Sequence, residues 1–480
     1  MLKVLLAGAT SYVGRRLKGR LLGDKNVSLR VLVRDARHVS ESARGRAEIV
    51  EGDINDREVV KEALKAVDVV YYPIRLFGAL WEPRGPDNAP ARMFRDLCIE
   101  EGVKRLVYVG LHVADQPRVQ LFRTMTETGK ILGAHPEKLQ TVWLRTGVLM
   151  GSGSVMFELL RNIVRKIPVI ILSRWMQARM TPVSVDDLVE YLVRVKDLEV
   201  QGNLILDIGS EEISFQEMLK ASARVMGLRR AFVPLPFTAH RLSSFLLMLA
   251  TPFSFRLSSQ LIKALQSGEI KPVSAVDSAA ERYLPGVAAL PFEKALEKAV
   301  EECENDQVQS RWVDTLEKVI HVSPEKDISR AVYTDVKSMS FGDLPPRKIF
   351  RAVKSIGGKE GWFTFDFLWR IRGFLDKLAG GYGTAMGKRT ASDLRLGDML
   401  DVWRVVDLRE DRRLLLEAQM KVFGKAWLEF KIEGNTLTQI AYHCPNGILG
   451  RLYWYSMLPF HVVIFRDMIR SIIRQARDRE

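Results

Sequence analysis

Three residues near the start of the chain have the types and the spacing to hold a phosphate. Gly8, Ser11 and Gly14 stand three apart in the stretch GATSYVG, between an apolar run that predicts a strand and an amphipathic run that predicts a helix. The first glycine permits a tight turn, and the last lets the helix approach the sheet so that its N-terminal amides face a pyrophosphate. This order of strand, turn and helix is typical of a dinucleotide-binding fold. Serine at the middle position is expected to restrict the approach of a ligand slightly.

Arginines follow the second predicted strand, in the stretch VLVRDARHV. A site that prefers NAD usually has an acidic residue at this strand end, which bonds the ribose hydroxyls. Arg34 stands there instead, and Arg37 lies one helical turn later. A guanidinium binds a 2′-phosphate through forked, charge-assisted hydrogen bonds, so we expect NADP(H) in preference to NAD(H). The alternative is that Arg34 is a solvated residue at a strand end.

An acidic and an aliphatic residue follow the third predicted strand, in EGDIND. The Asp53 carboxylate is suited to accept a hydrogen bond from an adenine amino group, while Ile54 covers the face of the ring. The alternative is that Asp53 only caps the next helix.

These candidate residues need a scaffold, and the first third of the chain predicts one. Strand-like runs alternate with amphipathic helical runs; the strand-like ones are KVLLAGA, VSLRVLVR, AEIVEGD, VDVVYYPI, RLVYVGL and QTVWLRTGVL. Such alternation predicts the α/β class, with a doubly wound parallel Rossmann sheet. Ligands of these sheets bind beyond the carboxyl ends of the strands, where the candidate residues lie.

The pattern changes near Ser329. Strands of alternating polarity follow, joined by turns at Asp411 and at Gly434 and Asn435, and the chain closes with a long helix that is apolar on one face and arginine-rich on the other. We therefore expect an α+β domain with a curved antiparallel sheet around a long C-terminal helix. The predicted domains are 1–300 for the Rossmann domain with a substrate lobe, 301–328 for a linker and 329–480 for the second domain. Its large aromatics either line an apolar cavity or fill a core.

Composition excludes some classes of function. The chain has 480 residues, 47% of them hydrophobic, and a formal net charge of +14 that suits anionic partners. Cys98, Cys303 and Cys444 are too far apart to indicate a disulfide framework or a zinc ribbon, and no metal site is predicted. No dense basic patch interleaves with aromatics, so nucleic acid is not expected as a partner.

We expect a cytoplasmic protein, in solution or peripheral at the inner face of a membrane. The stretch FLLMLATPFSF, interrupted by Pro252, falls short of the roughly 20 residues that a membrane-spanning helix needs. The basic final helix either contacts an anionic membrane surface or packs on its own sheet. The oligomeric state stays open.

Taken together, these stretches and two later ones, LRTGVLMGSG and MTPVSVDDLVEYLV, resemble the atypical or extended short-chain dehydrogenases, especially the NmrA-like branch, over residues 1–300. The resemblance implies an NAD(P)-binding site in which Arg34 selects the phosphate, while Asp53 and Ile54 hold adenine. It further implies that the nicotinamide side is lined by Pro73, Ile74 and Gly110. The pyrophosphate would be held by Gly8, Thr10, Ser11, Tyr12, Val13 and Gly14.

The second domain, from 329 to 480, resembles the helix-grip domains of START and Bet v allergen-like proteins. It is more similar still to a domain of unknown function that follows NmrA-like domains in bacterial proteins. The stretches that carry this similarity are GGKEGWF, LRLGDMLDVWRVV, AWLEF and GRLYWYSMLPFHVVIF. Helix-grip domains of the SRPBCC type commonly enclose an apolar ligand, which the resemblance implies here.

The resemblance also implies a catalytic tyrosine with a lysine four residues later. The aligned positions carry Leu121 and Met125, and neither side chain can transfer a proton. His112 and Thr124 are the candidates to substitute, together with Glu127 and Lys130. Two functions therefore stay open. One is an oxidoreductase that acts on a bulky apolar substrate without the Tyr-x-x-x-Lys dyad, and the other is a non-catalytic NADP(H)-binding regulator, redox sensor or assembly factor.

Overall fold

The structure is a computed structural model of the chain. The structure describes all residues except 73–87, 236–239, 274–278, 288, 316–324, 326–327, 359–360, 363–365, 379–380, 382, 392, 421 and 479–480. The chain forms two compact units: unit 1 comprises residues 1–251 and 255–315, and unit 2 comprises residues 252–254 and 316–480.

Unit 1 begins with alternating strands and helices, namely β1 (Leu2–Ala7), α1 (Tyr12–Gly23), β2 (Val27–Val33), α2 (Glu41–Arg44), β3 (Glu48–Glu51), α3 (Arg57–Leu64), β4 (Val69–Tyr71), α4 (Ala89–Glu100), β5 (Arg105–Leu111), α5 (Gln120–Leu132) and β6 (Gln140–Thr146). It continues with β7 (Val148–Met150), α6 (Val155–Lys166), β8 (Val169–Ser173), β9 (Arg179–Met180), β10 (Pro182–Ser184), α7 (Val185–Arg194), β11 (Leu204–Ile208), β12 (Ile213–Ser214), α8 (Phe215–Val225), β13 (Ala231–Leu235), α9 (His240–Ala250), α10 (Phe255–Gln266), α11 (Ala279–Tyr283) and α12 (Phe292–Glu304).

The main sheet of unit 1 has seven strands in the order β11, β6, β5, β4, β1, β2, β3, and every neighbouring pair is parallel. The predicted doubly wound parallel sheet is therefore confirmed. The chain reverses its direction of travel across the sheet between β1 and β4, and ligands of such sheets bind at this switch point. The central strands are apolar on both sides because helices cover both faces of the sheet.

The rest of unit 1 forms smaller pieces around this sheet. Three pairs of strands lie outside the main sheet: β7 with β10, β9 with β12 and β8 with β13. Ser184 caps α7, and a capping box of Ser214 and Glu217 opens α8. Buried side chains continue beyond α12: Val308, Trp312 and Val313 are at most 5% exposed. These three residues lie within the predicted linker, and they pack in unit 1.

Unit 2 contains β14 (Tyr333–Ser340), α13 (Pro346–Ser355), α14 (Asp366–Leu378), β15 (Met399–Leu400), β16 (Trp403–Arg409), β17 (Arg413–Ala418), β18 (Gly424–Glu433), β19 (Thr436–Pro445) and α15 (Gly447–Asp478). Its six strands form an antiparallel sheet in the order β14, β19, β18, β17, β16, β15. The core lies between this sheet, α13 and the second half of α15, which contributes Met468, Ile469 and Ile472. The antiparallel sheet and the long C-terminal helix are therefore confirmed, whereas the assignment to the helix-grip family stays a prediction.

Helix α15 has a length and an apolar content that the sequence analysis did not consider. Among the described helices it alone is long and apolar enough, by length and composition, to cross a membrane. Pro459 lies inside it, and its second half is packed in the core of unit 2.

Candidate functional site

The glycine turn between β1 and α1 brings the backbone of Gly8 into close contact with Gly14. Gly8 adopts a φ of 79°, which favours glycine, and its carbonyl oxygen accepts a hydrogen bond of 2.9 Å from the Ser11 amide. A Cβ atom on Gly14 would stand 2.1 Å from that same carbonyl oxygen. The helix approaches the turn this closely because position 14 carries no side chain.

Ser11 is the N-cap of α1, and its side chain already occupies one amide of the helix. Its Oγ accepts a hydrogen bond of 3.0 Å from the Gly14 amide. The amides of Tyr12 and Val13, in the first turn, have no hydrogen-bond partner within the described part of the chain. Free amides at a helix N-terminus attract anions. The cradle therefore fits a pyrophosphate, with serine replacing the middle glycine.

A buried ionic cluster, which the sequence analysis did not predict, lies beside this turn. Arg16 is 3% exposed; its Nη1 lies 3.3 Å from Asp186 Oδ1, and its Nη2 lies 3.4 Å from Glu302 Oε2 and donates to Ser152 Oγ at 2.9 Å. The guanidinium also lies over the Tyr12 ring, 5.6 Å from its centroid. Burial alone would lower the pKa of Arg16, but the Tyr12 hydroxyl and the two carboxylates raise it above its ordinary value.

The sequence does carry a signal for this cluster. Arg16 stands at the i+3 position from Val13 and beside Leu17, so it lies on the apolar face of α1. A charged residue on a buried helical face needs partners, because an unpaired buried charge is very unfavourable. The sequence therefore indicates that Arg16 is paired. Its partners on α7 and α12 are far away in the chain and become apparent only in the fold.

The two arginines proposed to select the phosphate lie directly after β2. Arg34 is half-buried, and Arg37 lies in a short 3-10 helix capped by Asp35. The Arg37 guanidinium forms a forked pair with that carboxylate, with Nη2 2.7 Å from Oδ2 and Nε 3.1 Å from Oδ1. Burial would raise the pKa of Asp35, but the hydrogen bonds and the charge of Arg37 hold it below its usual range. A 2′-phosphate would therefore share Arg37 with a carboxylate.

Asp53 and Ile54 follow β3, as expected for an adenine site. Asp53 Oδ1 accepts hydrogen bonds from the amide and the side chain of Asn55, at 2.8 and 2.7 Å. The alternative role of Asp53 as a helix cap is wrong, because α3 begins at Arg57 and Asp56 is its N-cap. Ile54 packs at the edge of the core.

Of the three residues expected on the nicotinamide side, the structure describes Gly110. Gly110 is buried in β5, and a Cβ atom there would stand 3.0 Å from the indole nitrogen of Trp143. Pro73 and Ile74, the other two residues expected on this side, lie outside the described residues.

The helix expected to bear the catalytic dyad has no proton-transfer group at the lysine position. Met125 is 5% exposed and packs in the main core cluster. Thr124 Oγ1 donates to the Gln120 carbonyl oxygen at 3.0 Å, which is an ordinary bond within a helix. The side chains of Glu127 and Lys130 are engaged as well: Glu127 accepts from Asn88 at 2.8 Å, and Lys130 donates to a backbone carbonyl at 3.4 Å.

His112 is placed differently, at the carboxyl end of β5. Its Nδ1 lies 3.1 Å from the carbonyl oxygen of Lys271, and its Nε2 lies 3.9 Å from Asp207 Oδ2. Arg145 binds both oxygens of that carboxylate, at 2.6 and 2.7 Å. Because Arg145 and Asp207 are paired residues of β6 and β11, three neighbouring strands bring this group together. Sequence reasoning found His112 and missed its two charged neighbours.

A cavity of about 240 Å³ lies in unit 2. Aromatic and aliphatic side chains dominate its lining, among them Trp369, Trp403, Trp427, Ile371 and Leu375. His443 and His461 also line it, and burial lowers the pKa of each ring, to about 4 for His461. The described residues contain no group of three or more His, Cys, Asp or Glu side chains that could hold a metal ion.

Comparison with known proteins assigns a class to each end of the chain. Residues 8–145 match the family model described as NAD(P)H-binding, and residues 328–468 match the model described as protein of unknown function DUF2867. Residues 8–145 therefore form an NAD(P)H-binding domain of the Rossmann class. A domain of unknown function follows it.

Solved structures are similar to this chain over 62% of its length. The triphenylmethane reductase of Citrobacter sp., solved with NADP(H), superposes with a TM-score of 0.51 at 17% identity, over 62% of this chain and 100% of that one. A nucleoside-diphosphate-sugar epimerase of Staphylococcus aureus gives a TM-score of 0.49 at 13% identity, over 62% and 100%. A search of curated proteins finds no match to this chain.

Proposed function

We propose that the protein is an NADP(H)-dependent oxidoreductase that reduces a bulky apolar acceptor. The observation that carries the proposal is the glycine cradle, where the Tyr12 and Val13 amides have no hydrogen-bond partner among the described residues, followed by Arg34 and Arg37 at the end of the neighbouring strand. The cradle suits a pyrophosphate, and the two guanidinium groups suit a 2′-phosphate. The apolar cavity of unit 2 supports the chemical class of the acceptor.

The roles in the reaction are assigned as follows to the cofactor and to residues of the chain. When bound, the reduced cofactor supplies a hydride. His112 is the residue we assign to the proton. The carbonyl oxygen of Lys271 can only accept, so Nδ1 carries a hydrogen and Nε2 is the atom that gains or releases the proton. The carboxylate of Asp207 lies 3.9 Å from that nitrogen, and Arg145 fixes the position of the carboxylate.

The test follows the absorbance of the reduced nicotinamide while quinones and conjugated apolar enones are offered as acceptors. We expect turnover, and we expect His112→Ala to lower kcat by about 100-fold, the usual scale of a lost general acid, with unchanged affinity for NADPH. Thr124→Val is the matched control, because the hydrogen bond that the structure describes for the Thr124 hydroxyl lies within its own helix. Full turnover in His112→Ala would contradict the role of the histidine.

A second candidate function is a non-catalytic NADP(H)-binding regulator. The observation in its favour is Met125, which is buried in the core at the position where the resemblance implies the catalytic lysine. Specific binding of NADPH, combined with no turnover of any acceptor in the panel, would favour this function over the oxidoreductase.

A further inference from the structure

Unit 2 exposes an apolar surface on two helices that border the same cavity. On α14 the side chains of Phe367, Ile371 and Phe374 are each more than half exposed. On the first half of α15 the same is true of Ile448, Leu452 and Val462. The spacing within each helix places these residues on one face, and we call the two together the apolar face. Exposed apolar patches of this kind mark interaction sites.

The exposed side of α15 changes from apolar to basic half-way along the helix. From Gly447 to Phe465 the only Asp, Glu, Lys or Arg is Arg451. Beyond Phe465 the stripe that began at Ile448 and Leu452 continues with Arg466 and Arg470, both exposed, and further exposed arginines follow towards the end of the helix. An apolar segment adjoining a run of arginines complements a bilayer, whose acyl region accepts the first and whose anionic headgroups bind the second.

The inner side of that apolar segment is fixed to the sheet. Trp454 stacks on Tyr333 and on His443, with ring centroids 5.4 and 5.8 Å apart and planes within 11°. Gly450 packs against the backbone so closely that a Cβ atom would stand 2.4 Å from the Phe423 carbonyl oxygen. These contacts leave only the outer side of the helix for a partner. A helix held in this way along its sheet presents one side to a partner and is not free to cross a bilayer.

The cavity borders the apolar face. Ile371 and Phe460 are both exposed and also line the cavity. Deeper in the lining, the indole nitrogens of Trp369 and Trp403 are buried without a hydrogen-bond acceptor among the residues that the structure describes. An indole N–H can only donate, so these two groups suit a ligand that combines an apolar body with an acceptor oxygen. The carbonyl oxygens of membrane lipids have this chemistry.

We propose that unit 2 docks on an anionic phospholipid bilayer through the apolar face, with the arginines beyond Phe465 at the headgroups, and that the cavity receives an apolar chain of a membrane lipid. This inference specifies the apolar substrate of the proposed function as a membrane lipid. Only that connection rests on the proposed function; the docking does not. Its test uses no nicotinamide cofactor, so failure of one can be distinguished from failure of the other.

The docking test is flotation of the full chain with phosphatidylcholine vesicles, with and without phosphatidylglycerol. We expect the protein to float with the vesicles, more so with the anionic lipid and less so at high salt. Leu452→Glu or Val462→Glu should weaken binding by about tenfold or more, because each places a charge in the acyl region. Val336→Glu is the control, since Val336 is 53% exposed on β14 and points to the face of the strand opposite Tyr333 and Asp335, which contact α15. Circular dichroism verifies that each variant is folded.

The uptake of a chain is tested with vesicles whose acyl chains carry bromine, which quenches tryptophan fluorescence on contact. Trp403 and Trp427 line the cavity and are at most 6% exposed, so bromine reaches them only from inside it. Quenching should fall in the double variant Trp403→Phe with Trp427→Phe. Unchanged quenching would overturn the uptake.

Two outcomes would overturn the docking. One is equal vesicle binding by Leu452→Glu, Val336→Glu and the unmodified chain. The other is a dimer in sedimentation velocity that Leu452→Glu converts to monomers, without vesicle binding, which would mean that a second copy covers the apolar face.

Discussion

Gly14 packs directly against Gly8: a Cβ atom at position 14 would stand 2.1 Å from the Gly8 carbonyl oxygen and 2.7 Å from Ser11 Oγ. The first contact is with backbone, so the helix itself would have to move to accommodate a side chain. Helix α1 can therefore lie this close to the end of β1 only because residue 14 has no side chain. This distance also sets the position of the amides that face the candidate pyrophosphate site.

Gly14→Ala should destabilise unit 1 and abolish measurable binding of NADPH. Gly19→Ala, in the same helix, is the matched control, because Gly19 is exposed and a Cβ there meets no described atom within 4 Å. We expect Gly19→Ala to bind normally and to be more stable by up to about 1 kcal/mol, since alanine favours a helix. Thermal unfolding and NADPH titration of the two variants provide the comparison. Equal behaviour would contradict the role of the close approach.

A second pair of substitutions tests the buried cluster. Arg16→Leu leaves Asp186 and Glu302 without their buried partner and should cost about 3 kcal/mol of unfolding free energy. Arg20→Leu, one turn along the same helix, removes an exposed pair with Glu190 and should cost less than about 1 kcal/mol. Urea unfolding measures both values. A loss of similar size in the two variants would show that the cluster adds no more than a surface pair.

The carboxylate beside Arg37 offers a change that should improve binding. Asp35→Asn keeps a side-chain oxygen that can cap the short 3-10 helix but removes the negative charge that occupies Arg37. Affinity for NADPH should rise several-fold, whereas affinity for NADH should stay the same, because only the former has a 2′-phosphate. Titration of the variant with both cofactors tests this. A parallel gain for NADH would contradict the placing of the 2′-phosphate at Arg37.

Stability should depend on pH through His461. Burial lowers its pKa in the folded chain to about 4, against the opposing effect of the Asp335 charge, while the unfolded chain titrates at the ordinary value of 6.5. As the pH falls, the unfolded state therefore binds the proton before the folded state does. The contribution of His461 to the free energy of unfolding is complete above pH 6.5 and is lost as the pH falls towards 4. Between pH 7 and pH 5 the loss is about 2 kcal/mol.

Urea unfolding at the two pH values, followed by tryptophan fluorescence, measures this loss. In His461→Gln the dependence on pH should be smaller by that amount, although His443 still titrates in the same direction because burial lowers its pKa too. His135→Gln is the control, since the side chain of His135 is 43% exposed and lies outside unit 2. The same pH dependence in His461→Gln as in the unmodified chain would refute the assignment.

Much of the scaffold follows from local patterns. Continuous apolar runs such as KVLLAGA predict buried parallel strands, and the observed β1 is buried from Val4 to Ala7 because helices cover both faces of its sheet. The alternating residues after Ser329 likewise predict the antiparallel sheet of unit 2. These features depend on the periodicity of neighbouring residues, which one sequence displays in full.

The parts that the sequence did not predict depend on distant segments. The pairing of Arg145 with Asp207 near His112 requires β6 and β11 to be neighbours, and no local pattern indicates that register. The two-residue strands β9 and β12 are too short to show a period. Asp53 resembled a helix cap until the start of α3 at Arg57 placed Asp56 in that role.

The most direct test of the central claim is calorimetric titration of the full chain with NADPH and with NADH, for the unmodified protein and for Arg34→Ala. We expect NADPH to bind more tightly than NADH, and the substitution to weaken NADPH by about tenfold or more while leaving NADH unchanged, because one charge-assisted contact to the 2′-phosphate is lost. No heat of binding with either cofactor, or an equal loss for both in Arg34→Ala, would contradict the assignment of this site to NADP(H).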